Sequence, residues 1–254
     1  MVIFCLKSII FVSMLTKTRA IVLRNIKYGE HRMIVDMFTR SYGRMSFAVT
    51  VSRTSGKGMR RQMFQPLTML DIGCDIRPRV QIQKLHDVRL AVPYVSLLSD
   101  PVKLSVSLFV SEFLCHALRS EQQNEPLFEY TADSLQWLDG CTSGYANFHL
   151  VFLMRLSLFL GFYPNLDGYT SGAWFDLRTG CFTAVRPLHH DVIEPADAAR
   201  TSLMMRMRFA TMHLYRMSRD DRNRMLEIII RYYRIHMPDF PELRSLDVLR
   251  ELFS

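Results

Sequence analysis

Cysteine is scarce in this chain and poorly placed for cross-linking. Five occur, Cys5, Cys74, Cys115, Cys141 and Cys181, an odd number with no C-x-x-C pair. That speaks against a disulfide framework and points to a reducing compartment, the cytoplasm. Long apolar runs are missing as well. Crossing a bilayer takes about 20 apolar residues, and the apolar stretch 1–13 is shorter and carries Lys7. It has a poor charged region and no A-x-A cleavage site, so it does not read as a secretory leader. The expectation is that Met14 is the natural start, that residues 1–13 are a non-native or disordered extension, and that no membrane is involved.

The marks of an enzyme are lacking too. There is no G-x-S-x-G, and Gly56-Lys57-Gly58 does not satisfy the phosphate-loop pattern G-x-x-x-x-G-K-[ST]. His31, His86, His116, His149, His213 and His236 stand singly at helical or strand positions, where a structural role is the simpler reading. Glu30 with Asp36 makes no convincing acid–base pair, and Asp71, Asp75 and Asp87 form no spaced metal-binding cluster. Cys181, His189 and His190 fall short of the four ligands that tetrahedral zinc needs. A non-enzymatic protein is expected, with no catalytic residue, metal or cofactor.

Acidic residues are rare in one region, and that region is rich in cations. Residues 14–92 hold 15 Lys+Arg against 5 Asp+Glu, a net of +10, while the remainder is at −2. Clustered cations gain free energy by displacing counterions from phosphates, so a polyanion is the partner this segment suits. The bland alternative is a solubility device.

Within the basic third the pattern is that of strands, at 20–26, 33–39, 44–51, 64–72 and 80–88. Met45, Phe47, Val49 and Val51 fall on one side in period-two alternation, and five short strands with polar turns suggest a small barrel or sandwich. Residues 52–61 lack apolar periodicity, hold Gly56 and Gly58, and read as a flexible loop. After Pro93 the texture turns helical. Asp100-Pro101 opens one helix, 126–138 a second, and the mostly apolar 148–162 a buried third. Residues 163–194 are irregular, with a short hairpin around Thr179-Gly180. Helices follow at 195–217, 222–237 and 245–253. The fold class expected is α+β, with a β domain at 14–92 and an all-α domain at 93–254 carrying an irregular insertion near 163–194.

The densest cations are Arg53, Lys57, Arg60 and Arg61, interleaved with hydroxyls and glycines that let backbone approach phosphate. Arg19, Arg24, Lys27, Arg40, Arg44, Arg77, Arg79 and Lys84 lie on or beside the neighbouring strands. Together they are the candidate nucleic-acid contacts, forming a groove for single strands with Tyr28 or Tyr42 as stacking platforms. Phe47 reads as core. Near the C-terminus Arg231 and Arg234 flank Tyr232, a pattern that could hold an acidic, aromatic-ended peptide or be an ordinary solvated helix face. An RNA-binding barrel remains the alternative, because such a groove takes either polymer.

Three stretches, taken in order, resemble a known family. Residues 20–61 contain an A-I-V-L-R strand, a Y-G-E turn at Tyr28 and an F-T-R-x-x-G-R turn beginning at Phe38, followed by the basic loop and Gln65-Pro66-Leu67. Residues 160–166 read L-G-F-Y-P-N-L, and 231–253 read RYYRIHMPDFPELRSLDVLRELF. These are similar to the RecO family of recombination mediators. The resemblance implies an OB-fold barrel before an all-α domain. It also implies binding of single- and double-stranded DNA, annealing of complementary strands, and help in placing RecA on DNA coated by single-stranded-DNA-binding protein. The partners it implies are RecR, the acidic C-terminal tail of that coating protein, and RecA indirectly, in the nucleoid-associated cytoplasm. Some members carry a four-cysteine zinc site after L-G-x-x-P. Here only Cys181 stands in that region, so no zinc is expected.

Overall fold

In a computed structural model the described residues are 14–51, 59–77, 79–119 and 122–251. Arg53 and Lys57 lie outside them. The chain divides into two compact units, Met1–Val92 and Pro93–Ser254.

The first unit is a closed five-stranded barrel. Its strands are β1 (Met14–Lys27), β2 (Arg32–Thr39), β3 (Gly43–Thr50), β4 (Met69–Ile76) and β5 (Ile82–Leu90). Their order around the barrel is β1-β2-β3-β5-β4, with β3 and β5 parallel and the other pairs antiparallel. Alternation builds the core. Val35, Met37, Phe47, Val49, Leu70 and Ile72 point inward and are almost wholly buried, and Phe64 joins them from outside the strands. Phe47 is therefore core, as its spacing predicted. Strand β1 is long enough to serve β4 with its first half and β2 with its second. An irregularity between Val22 and Arg24 lets it turn between them.

One strand is placed later than the sequence suggests. Instead of a strand over 64–72, a short 3-10 turn spans Arg61–Phe64 and β4 begins at Met69. Leu67 adopts φ 63°, fully buried, and its amide donates to the Val22 carbonyl at 2.7 Å while Val22 N donates to Thr68 O at 3.0 Å. The left-handed turn costs about 1–2 kcal/mol, and it allows Phe64 to pack into the barrel.

The second unit contains α1 (Pro101–Ala117), α2 (Glu125–Gly140), α3 (Phe148–Phe159), α4 (Pro195–Arg206), α5 (Arg219–His236) and α6 (Leu246–Glu251). Caps define their starts. Asp100 accepts from the amides of Val102 and Lys103, Asn124 from Leu127 N, and Ser218 with Asp221 forms a capping box. The apolar α3 is buried along most of its length, as expected. The irregular stretch holds a three-stranded sheet of β6 (Trp174–Asp176), β7 (Cys181–Thr183) and β8 (Val192–Ile193), in the order β7-β6-β8. Buried Lys103 donates to Ser96 Oγ at 2.6 Å and to the carbonyls of Asp139 and Cys141 at 3.0 and 2.6 Å. It thereby satisfies carbonyls left open at the end of α2.

The helix expected over 195–217 is shorter. It ends at Arg206, and Met207 turns to ψ 144°. The Phe209 ring then stacks on Tyr130, Trp137 and Phe148, and Asn147 Nδ2 donates to the carbonyls of Met212 and Tyr215. Aromatic packing and a buried amide outweigh helical periodicity there.

Candidate nucleic-acid interface

Neighbouring strands bring residues far apart in sequence into lateral rows on the outside of the barrel. In one row Arg24 faces Asp36, Asp36 faces Ser46, and Ser46 faces Ile82. In the next, Ile26, Ile34, Ala48 and Lys84 lie side by side, and beyond them Arg32 faces Thr50. This surface belongs to the second half of β1, to β2, to β3 and to the start of β5.

Asp36 organises it. The carboxylate is buried beneath the side chains it holds: Arg24 Nε at 2.7 Å, Arg44 Nη2 at 3.0 Å and Ser46 Oγ at 2.5 Å. Burial alone would raise its pKa, but these hydrogen bonds and the Arg24 charge hold it below the usual carboxylate range. Two guanidinium groups are thus fixed on a single carboxylate.

Lys27, Arg32 and Lys84 are exposed around this hub and form no ion pair among the described residues. Tyr28, in the turn between β1 and β2, is 66% exposed. Ile26, Ile82 and Val80 are also open to solvent. The turn between β4 and β5 carries Arg77 and Arg79. Buried Gln83 pins it, accepting from Arg77 N and donating to the carbonyls of Arg77 and Val80. Cations set among exposed apolar side chains suit a single strand, whose phosphates need charge and whose bases need a face to lie on.

A second basic surface lies elsewhere on the barrel. A groove of about 480 Å³ is lined by Lys17, Arg19, Arg40 and Arg89, with Asp71 and Asp87 among them. Arg19 pairs with Asp71 at 3.1 Å and Arg89 with Asp87 at 3.4 Å, so its positive surplus is diluted.

The single groove expected from sequence thus resolves into two surfaces. Arg24, Lys27, Arg44 and Lys84 share one, with Arg77 and Arg79 at its edge, and Arg19 and Arg40 share the other. Arg60 and Arg61 are exposed at the 3-10 turn between β3 and β4. Sequence reasoning passed over Arg32, Lys17 and Arg89. Strand alternation was the available signal, since Lys17 and Arg19 fall on one side of β1 and Arg32 and Ile34 on one side of β2.

At the C-terminal end, Arg231 donates to His190 O and Asp191 Oδ1, at 2.5 and 3.1 Å. Tyr232 is buried and donates its hydroxyl to Phe162 O at 2.7 Å. Of the three residues expected to meet a partner, Arg234 alone is presented without an ion pair among the described residues. The irregular stretch 163–194 offers no tetrahedral donor set among the described residues. The Cys181 thiol donates to Thr179 O, His189 lies 3.4 Å from Asp176, and no group of three His, Cys, Asp or Glu among the described residues is arranged to hold a metal ion.

A closed barrel of this strand order, with one parallel pair and a cationic exterior, followed by a helical unit, defines an OB-fold protein of the multidomain α+β class. Residues 14–94 match the family described as "Recombination protein O N terminal" and residues 98–246 match "Recombination protein O C terminal". The chain belongs to the RecO family of DNA repair proteins. It is 48% identical over 241 residues to a "DNA repair protein RecO" of Phocaeicola vulgatus, covering 95% of this chain and all of the relative. Relatives of the same name in Bacteroides fragilis and Porphyromonas gingivalis are 48% and 34% identical, each over 95% of this chain and all of their own length. These names state DNA repair and no catalytic activity. No helix among the described residues is long and apolar enough to cross a membrane.

Proposed function

We propose that this chain holds single-stranded and duplex DNA on its barrel, anneals complementary strands and helps RecA onto DNA coated by single-stranded-DNA-binding protein, acting with RecR and without catalysis. The observation that carries this reading is the β1-β2-β3-β5 surface, where Lys27, Arg32 and Lys84 are exposed without an ion pair among the described residues, near exposed Tyr28, Ile26 and Ile82. Phosphates neutralised there no longer repel a second strand, so bases can pair. Arg24, Arg44, Arg77 and Arg79 extend the contact, Arg53, Lys57, Arg60 and Arg61 add cations from the sequence between β3 and β4, and Arg19 and Arg40 contribute from the groove. The acidic tail of the coating protein meets the helical unit through Arg234. This activity belongs in the cytoplasm, at the nucleoid.

The test is oligonucleotide binding at several salt concentrations. Changing Arg53, Lys57, Arg60 and Arg61 together to Ala weakens binding and lowers the slope of log affinity against log salt by about 3, at roughly 0.7 per single-strand phosphate contact. Unaltered affinity and slope would refute the barrel contact. Tighter binding of a matched RNA than of the DNA would move the assignment to an RNA-binding barrel.

A further inference from the structure

The helical unit is not cationic overall, yet residues 198–219 contain five arginines, Arg200, Arg206, Arg208, Arg216 and Arg219, and no carboxylate. The fold presents them from a stiff support. After α4 the chain is held from behind by buried Met207 and Met212, by the stacked Phe209 ring and by Asn147. Arg222 Nη1 also donates to Met217 O at 2.6 Å. Arg206, Arg208 and Arg216 are left exposed, with no ion pair among the described residues.

Of these, Arg216 lines an apolar groove together with Arg200, and Arg206 and Arg208 flank its Met207 in the chain. The groove measures about 330 Å³ and runs between Arg200, Leu203 and Met207 on one side and Tyr215, Arg216 and Met217 on the other. Its one acid, Asp221, is engaged by Arg200 at 3.3 Å and by Ser218 at 2.7 Å. Half-exposed Leu203 opens toward solvent there. Cations spaced along an irregular segment match a repeating anion. A groove floored by thioethers and a tyrosine offers a base a polarisable face.

We propose that the Arg206–Arg208–Arg216 surface of the helical unit is a second nucleic-acid site, taking the phosphates of one strand with a base in the adjoining groove. The inference rests on the reading of the chain as a DNA-binding protein. It gives that activity two separate holding points in one molecule, which is what bringing two strands together needs.

The test uses the full chain with Arg206, Arg208 and Arg216 changed together to Ala, beside a second variant with all three changed to Lys and a barrel variant with Lys27, Arg32 and Lys84 changed to Ala. Circular dichroism checks that each is folded. Two readouts are followed: the salt dependence of binding to a labelled single strand, and energy transfer between two differently labelled, non-complementary strands held by one protein. In the Ala variant the slope falls by about 2, at roughly 0.7 per lost phosphate contact, energy transfer is lost and one strand still binds. The Lys variant keeps most of both signals. A folded Ala variant with slope and energy transfer unchanged overturns the proposal, and the DNA-binding reading survives if the barrel variant then loses affinity. Loss of binding to an aspartate-rich peptide, with oligonucleotide binding intact, also overturns it and makes the surface a protein-docking site.

Discussion

A single buried ring shows how far a residue's surroundings outrun its chemistry. His149 is 3% exposed on α3, edge-on to Phe109 at 6.4 Å. Burial, and then the Arg222 charge, push its pKa from 6.5 down to about 3. Unfolded, the ring takes up a proton near pH 6.5, whereas folded it stays neutral to about 3. Between these values the unfolded state binds more protons. Stability from this group is therefore full above 6.5 and falls as the pH drops, by up to about 1.4 kcal/mol per pH unit. Replacing His149 with Phe is expected to flatten that part of the profile, read by urea unfolding from neutral to mildly acidic pH. An unchanged pH dependence would mean that the ring does not resist protonation in the fold. Asp36 illustrates the same lesson: a lone carboxylate in sequence, it becomes the pin that holds Arg24 and Arg44 to one surface.

At the scale of elements, termini were where expectation and structure parted. Strands β2 and β3 and helices α1 and α2 lie close to where alternation and capping residues put them. β4 starts late because Phe64 is drawn into the barrel, and α4 stops early because Phe209 is drawn onto Tyr130, Trp137 and Phe148. The β6–β7 hairpin was visible in Thr179-Gly180, and here a close approach explains the glycine. Gly180 has φ 67°, and a Cβ on it would stand 2.6 Å from Tyr232 Oη. Gly180→Ala should cost about 2 kcal/mol through backbone strain and displacement of the Tyr232–Phe162 hydrogen bond. Tyr232→Phe removes the obstructing oxygen, so the double variant should be less destabilised than the sum of the singles, measured by urea titration. Strict additivity would show that the two positions do not meet.

For the whole molecule, the governing fact is the separation of charge, +10 over residues 14–92 and −2 over the rest. Like charges on one small barrel repel, and the five carboxylates there offset only part of that. Added monovalent salt should therefore act with opposite signs on two properties: it raises the thermal midpoint of the barrel by screening self-repulsion, while it weakens DNA binding by removing the gain from counterion release. Differential scanning calorimetry and oligonucleotide titration over one salt series check this. A midpoint that falls together with affinity would show that local ion pairs such as Arg19–Asp71 outweigh the net field.

Composition and local pattern were enough to specify a basic β region, a helical region after Pro93 and the family motifs, because charge count, two-residue alternation and capping chemistry are local properties. They did not divide the cations between surfaces. Alternation tells which side of a strand Lys84 occupies, but its neighbours Ala48 and Asp75 are known only once β5 closes the barrel between β3 and β4. The pairing of Arg24 and Arg44 on Asp36, the burial of Tyr232 and the arginine-lined groove after α4 depend in the same way on contacts between residues distant in the chain. Those contacts are settled by packing of the folded whole.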